Sequence, residues 1–111
     1  MIYKLFRTPE WRALEAEGST LGAPVDRDDG FVHFSTAAQV AETAARHFAG
    51  VEGLWLLAVD EAGLADNLRW EASRGGDLFP HLYAPLRLDQ VARAEPLPLV
   101  DGGHRFPSDL A

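Results

Sequence analysis

Polar and apolar positions follow two rhythms along this chain. Residues 2–6 have strand composition, and Thr8-Pro9-Glu10 then supplies a hydroxyl cap, a proline in the first turn and an acid at the positive end of the dipole. This pattern predicts a helix to about Glu17, stopped by Gly18. Residues 19–30 show no period and read as a loop, whose acidic end Asp26-Arg27-Asp28-Asp29-Gly30 reads as a solvated turn. Phe31-Val32-His33-Phe34 is a short strand, and Ser35-Thr36 opens a second helix. There Thr36 with Gln39 fits a capping box, and Ala37, Val40, Ala41, Ala44, Ala45 and Phe48 form one stripe before Gly50. Residues 54–59 are too continuously apolar for a half-exposed strand and predict a central one covered on both faces. A turn or short helical segment through Asp66 precedes three further strands at 68–71, 81–84 and 91–95. Residues 73–80, with a glycine pair and a proline, read as the loop between the first two. From Asp101 the chain becomes Gly/Pro-rich and reads as a loose tail.

Mixed elements without a βαβ rhythm predict one α+β domain over 1–111 and not a parallel doubly wound fold. No Gly-x-Gly-x-x-Gly or Walker sequence occurs. At 111 residues, 47% apolar and 24% charged, the chain has the composition of a globular protein that buries roughly two thirds of its unfolded surface. It has no cysteine, which excludes thiolate nucleophiles, zinc knuckles and iron-sulfur clusters. The 17 acids against 10 basic residues, with Lys4 the only lysine, argue against nucleic acid as the main partner. The longest apolar run is far short of the ~20 residues that span a bilayer, and the first residues lack a signal peptide's apolar core, so a cytoplasmic protein is expected.

Candidate chemistry comes from strand parity. Phe31 and His33 share one face of their strand, Arg69 and Glu71 point away from Leu68 and Trp70, and His81 and Tyr83 point away from Leu82. If these faces converge, they form a polar cleft holding two imidazoles, a carboxylate, a phenol and a guanidinium, with Arg74 from the adjoining loop. Such a set suits a polar small molecule or acid–base chemistry. Each residue also has a structural reading: His33 as a buried imidazole bonded to backbone, Glu71 as the ion-pair partner of Arg69 or Arg74, Arg74-Gly75-Gly76 as a turn and not a phosphate cradle, Ser35 and Thr36 as helix caps. Trp11, Trp55 and Trp70 lie on apolar faces and are expected in the core, while Glu95 is expected to face solvent. His33, His81 and Glu71 lack His-x-His or His-x-x-x-His spacing, so no metal is expected. His47 and His104 receive no role.

Asp29-Gly30-Phe31-Val32-His33-Phe34-Ser35-Thr36-Ala37, Leu68-Arg69-Trp70-Glu71 and Phe79-Pro80-His81-Leu82-Tyr83 together resemble a small bacterial family, domain of unknown function nine-fifty-two, along nearly the whole chain. The resemblance implies an ADP-ribosyltransferase-like fold, two small packed sheets with short helices around a cleft that holds NAD as a substrate in active relatives. It implies that His33, followed by Phe34-Ser35-Thr36, contacts the adenosine-side ribose. It also implies that Glu71 serves as the catalytic carboxylate with His81, and that Tyr83 or His81 lines the nicotinamide pocket; Ser35, Thr36, Arg69 and Arg74 complete the NAD-binding set. Active members of that superfamily present histidine, aromatic, then glutamate, whereas this chain presents His33, Glu71, then His81 and Tyr83. Three functions are therefore expected in competition: an NAD-using transferase or glycohydrolase, a catalytically silent nucleotide- or protein-binding module, and an RNA 2′-phosphotransferase-like enzyme using Arg69, Arg74, His33 and His81.

Overall fold

Strand β1 (Ile2–Arg7) lies antiparallel beside β4 (Leu54–Val59), and β4 pairs on its other edge with β8 (Val91–Leu97). The computed structural model describes residues 1–110, with Arg74 described by its backbone alone. Alternation along β1 and β4 explains the unbroken apolar run. Ile2, Phe6, Leu57 and Val59 point into one buried cluster, and Tyr3, Leu5, Leu54, Leu56 and Ala58 into another on the opposite face. The first cluster lies under α1 (Thr8–Glu17), which buries Trp11 and Leu14; the second lies under α3 (Val40–His47), which buries Val40 and Ala44. Residues 54–59 thus form the central strand, as the pattern predicts.

Helix α1 ends at Gly18 in the left-handed conformation, as read from sequence, but its N-cap is Arg7 and not Thr8. Glu10 accepts the Arg7 N–H at 2.8 Å, which frees Thr8 to donate its hydroxyl to the Gly53 carbonyl at 2.7 Å. The expected loop over 19–30 is structured: β2 (Ser19–Thr20) is followed by α2 (Pro24–Asp29), closed by Gly30 at φ 84°. Helix α3 begins later than expected. Gln39 accepts the Thr36 N–H at 3.0 Å, but residues 36–39 form a turn, and Ala41 and Ala45 of the expected stripe are exposed.

The second three-stranded sheet runs β3 (Val32–His33), β6 (Leu78–Leu82), β5 (Leu68–Ala72), all antiparallel. β6 enters residues that sequence assigned to a loop ending at Pro80. A proline gives no N–H to a ladder, yet the Pro80 carbonyl still accepts from Phe34 N–H at 3.0 Å. Trp11 and Trp55 stack with centroids 5.6 Å apart, but Trp70 on the outer strand β5 is 43% exposed and does not join the core.

Two short pairs complete the fold: β2 with β7 (Leu86–Arg87), and β9 (Leu99–Val100) with β10 (Gly103–His104). The described residues past Asp101, up to Leu110, are tied down. His104 Nε2 donates to the Val51 carbonyl at 2.7 Å, Phe106 and Leu110 pack on the second cluster, and Arg93 holds Asp109 at 3.0 Å. Glu95, expected in solvent, is half-buried with Arg93 3.3 Å away. The two main sheets are stitched at one point. As the chain leaves β3, Ser35 exchanges both backbone hydrogen bonds with Tyr3 of β1, at 2.8 and 2.9 Å. Among the described residues no ladder continues from that stitch.

Candidate functional site

Registers in the second sheet bring the predicted residues together. His33 pairs with His81, Arg69 with His81, and Glu71 with Phe79, so Phe31, His33, Arg69, Glu71, Phe79, His81 and Tyr83 share one face. Their neighbours Val32, Phe34 and Leu82 face the core on the other side. Phe31 stands at the centre of the polar face, with ring centroids 4.5 Å from His33, 4.2 Å from His81 and 5.1 Å from Tyr83. The two imidazoles meet edge to face at 5.3 Å.

Each imidazole is held by a carboxylate. His81, only 5% exposed, donates from Nδ1 to Glu71 Oε1 at 2.8 Å, and the Tyr83 hydroxyl donates to the same oxygen at 2.7 Å. The Tyr83 bond, then that of His81, holds the Glu71 carboxyl below the usual carboxylate range; the same contact pushes the Tyr83 phenol up. The expected pairing of Glu71 with Arg69 does not form. The Arg69 guanidinium instead lies 4.8 Å over the Tyr83 ring.

His33 is not the backbone-bonded buried imidazole of its structural reading. Its Nδ1 donates to Asp26 Oδ1 at 2.6 Å, Asp29 Oδ2 lies 3.0 Å from its Nε2, and about a third of its side chain is exposed. Asp26 was missed by a reading that placed it in a solvated turn. It is fully buried, and besides His33 Nδ1 it accepts the His33 N–H at 3.0 Å, the Ala23 N–H at 2.7 Å and the Lys4 ammonium at 2.8 Å. Burial pushes the Asp26 carboxyl up, but the bonds from His33 and the charge of Lys4 outweigh it and hold it at about 2. Burial also pulls Lys4 below the ordinary lysine range, with Asp26 pulling back. A signal for this helix was present: Pro24, Asp26 and Gly30 repeat the proline, acid and glycine that mark α1.

Ser35 and Thr36 sit apart from the imidazole cluster. The Ser35 hydroxyl, buried, lies 3.0 Å from Thr43 Oγ1, which itself donates to the Gln39 carbonyl, so Ser35 braces the start of α3. Residues Arg74–Gly76 form a 3-10 turn in which Gly76 N–H bonds to the Ser73 carbonyl at 2.8 Å. The Arg74 side chain lies outside the described residues. Between β1, β3 and α3 a cavity of about 300 Å³ opens, lined in part by His33, Ser35 and Phe79.

A profile for proteins of unknown function named DUF952 matches residues 5–94. The chain belongs to the DUF952 family. No curated protein matches it. The crystal structure of protein CC0527 from Caulobacter crescentus is 48% identical over 94% of this chain and 92% of that one, at a TM-score of 0.89. The solution NMR structure of the same protein matches at 48% identity over 93% and 89% of the chains, with a TM-score of 0.83. The fold described above is thus similar to one solved twice by independent methods. The DUF952 face built by β3, β6 and β5 is a compact polar cluster with two imidazole–carboxylate pairs, a phenol and a central aromatic ring.

Proposed function

We propose that this face binds a nucleotide of the NAD class, and that the chain cleaves its nicotinamide–ribose bond, passing ADP-ribose to an acceptor or to water. The observation that carries the reading is the Glu71 carboxylate, kept ionised by Tyr83 and His81 on a face where Phe31 and Tyr83 offer flat apolar surfaces. Breaking the C–N bond sends the electron pair out with neutral nicotinamide and leaves a positively charged ribose. An ionised carboxylate stabilises that charge and accepts a ribose hydroxyl. The acceptor oxygen then bonds to the anomeric carbon and gives up its proton to the His81–Glu71 pair. His33, fixed by Asp26, contacts the adenosine side, with Ser35 and Thr36 next in the chain; Arg69 flanks the Tyr83 ring.

A second reading has its own support. Glu71 Oε1 already satisfies two donors and His81 is almost wholly buried, which suits a binding module that never turns its ligand over. One pair of measurements separates them. NAD at one hundred times its dissociation constant is expected to stabilise the protein by about 2.7 kcal/mol in a thermal melt, and His33→Ala is expected to remove the shift. Glu71→Ala is expected to abolish nicotinamide release while retaining the melt shift. Binding without release in the unaltered protein selects the silent module, and no shift with NAD or ADP-ribose overturns both.

A further inference from the structure

The cavity beside β1 has a lining at odds with the rest of the molecule. The chain carries a net charge of -7, with 17 acids, yet among the described residues that line this cavity none is acidic. Its charged and titratable members are Tyr3, Lys4, Arg7, His33 and His47, and its apolar walls include Phe48 and Phe79. Lys4 is neutralised by Asp26 at 2.8 Å, and His33 faces Asp26 and Asp29. Arg7 differs: among the described residues no carboxylate pairs with its guanidinium, which lies 4.9 Å over the Phe48 ring.

Stacking on an aromatic ring holds a guanidinium in place while leaving its in-plane N–H donors pointing outward, the geometry that grips a carboxylate or phosphate with two bonds. The backbone adds to this. Tyr3 gives its N–H and carbonyl to Ser35, so ladder alternation turns the same groups of Leu5 toward the cavity edge and not toward β4. An anion approaching this acidic protein meets here a wall without like charge.

We propose that this cavity is a binding site for a small organic anion, a flat apolar body carrying one phosphate or carboxylate, with Arg7 as the anion clamp and Phe48 and Phe79 flanking the body. Its volume of about 300 Å³ lies at the small end of ligand pockets, so the ligand is a single-ring compound. The proposal goes beyond the NAD reading and does not depend on it, because Arg7 takes no part in the His33–His81–Glu71 face.

The test is calorimetric titration with phenyl phosphate, benzoate and the neutral benzyl alcohol, on the unaltered protein, Arg7→Gln and Arg7→Lys. Arg7 is exposed, so these variants are expected to fold, which a thermal melt checks. At least one anion is expected to bind, benzyl alcohol at least tenfold more weakly. Arg7→Gln is expected to weaken the anion at least tenfold and Arg7→Lys less than that. Preference between phenyl phosphate and benzoate assigns the headgroup. Equal binding of benzyl alcohol, unchanged binding in Arg7→Gln, or no binding of either anion at 10 mM, a concentration on the order of the weakest specific ligands, overturns the proposal. NAD binding with phenyl phosphate inert sinks the anion site alone; Arg7-dependent phenyl phosphate binding with NAD inert sinks the NAD reading alone.

Discussion

Asp26 shows how one buried side chain organises a site. Its two oxygens accept from Lys4, from the ring and backbone of His33, and from Ala23, so four donors from three parts of the chain converge on a single carboxylate. Removing its charge leaves the Lys4 ammonium buried without a counter-ion. Asp26→Asn is accordingly expected to destabilise the fold by about 3 kcal/mol in denaturant unfolding, the range seen when one member of a buried pair is lost. A change below about 0.5 kcal/mol would show that Lys4 finds another partner or water. Gly22 is part of the same arrangement: at φ 101°, with a Cβ placed there meeting the Asp26 carboxylate, it accepts no side chain without displacing the group that positions His33. None of this was legible from polarity, since an acid in an acidic run reads as solvated; only the punctuation of Pro24 and Gly30 marked a helix.

At the scale of elements, what the sequence revealed best were features set by local chemistry. The β1 strand, the Gly18 stop and the buried central strand each follow from a residue type or an uninterrupted apolar run. Strand parity also placed His33, Glu71, His81 and Tyr83 on common faces, and the registers of β3, β6 and β5 then brought those faces together. What stayed hidden depends on pairing between distant segments. The two-residue strands β2, β7, β9 and β10 have no periodicity of their own, and β6 runs through Pro80 because its neighbours supply the ladder. Trp70 misled because an apolar side chain marks a face without telling whether anything covers it. β4 is the element on which most rests, with Leu57 wholly buried between β1 and β8. Leu57→Ala is expected to destabilise by about 2–5 kcal/mol, against less than about 0.5 for a polar replacement of exposed Ala45. Equal effects of the two would contradict the central position of β4.

The whole molecule carries a stability that depends on acid. Asp26 titrates at about 2 in the folded protein against an ordinary 3.8, so its contribution is complete above about pH 4 and is lost as pH falls through 2. The difference corresponds to about 2 kcal/mol, and Glu71 and Asp109, held low by Tyr83 and Arg93, act in the same direction. Unfolding free energy measured from pH 5 to pH 2 is therefore expected to fall, and Asp26→Asn is expected to flatten much of that slope. A slope identical in the variant would move the acid sensitivity elsewhere.

The topology sets an order of events during synthesis. β1 leaves the ribosome before either of its partners, since its ladder with β4 is complete only when Val59 has been made and its stitch to Ser35 needs the chain beyond β3. Throughout that interval an apolar strand waits with both edges open, the condition under which nascent chains pair with one another. The only charge within residues 2–6 is Lys4, the chain's sole lysine. Until Asp26 claims it, that ammonium is a charge on an otherwise apolar strand, the kind of residue that opposes edge-to-edge association, and in the closed fold the same side chain anchors the site.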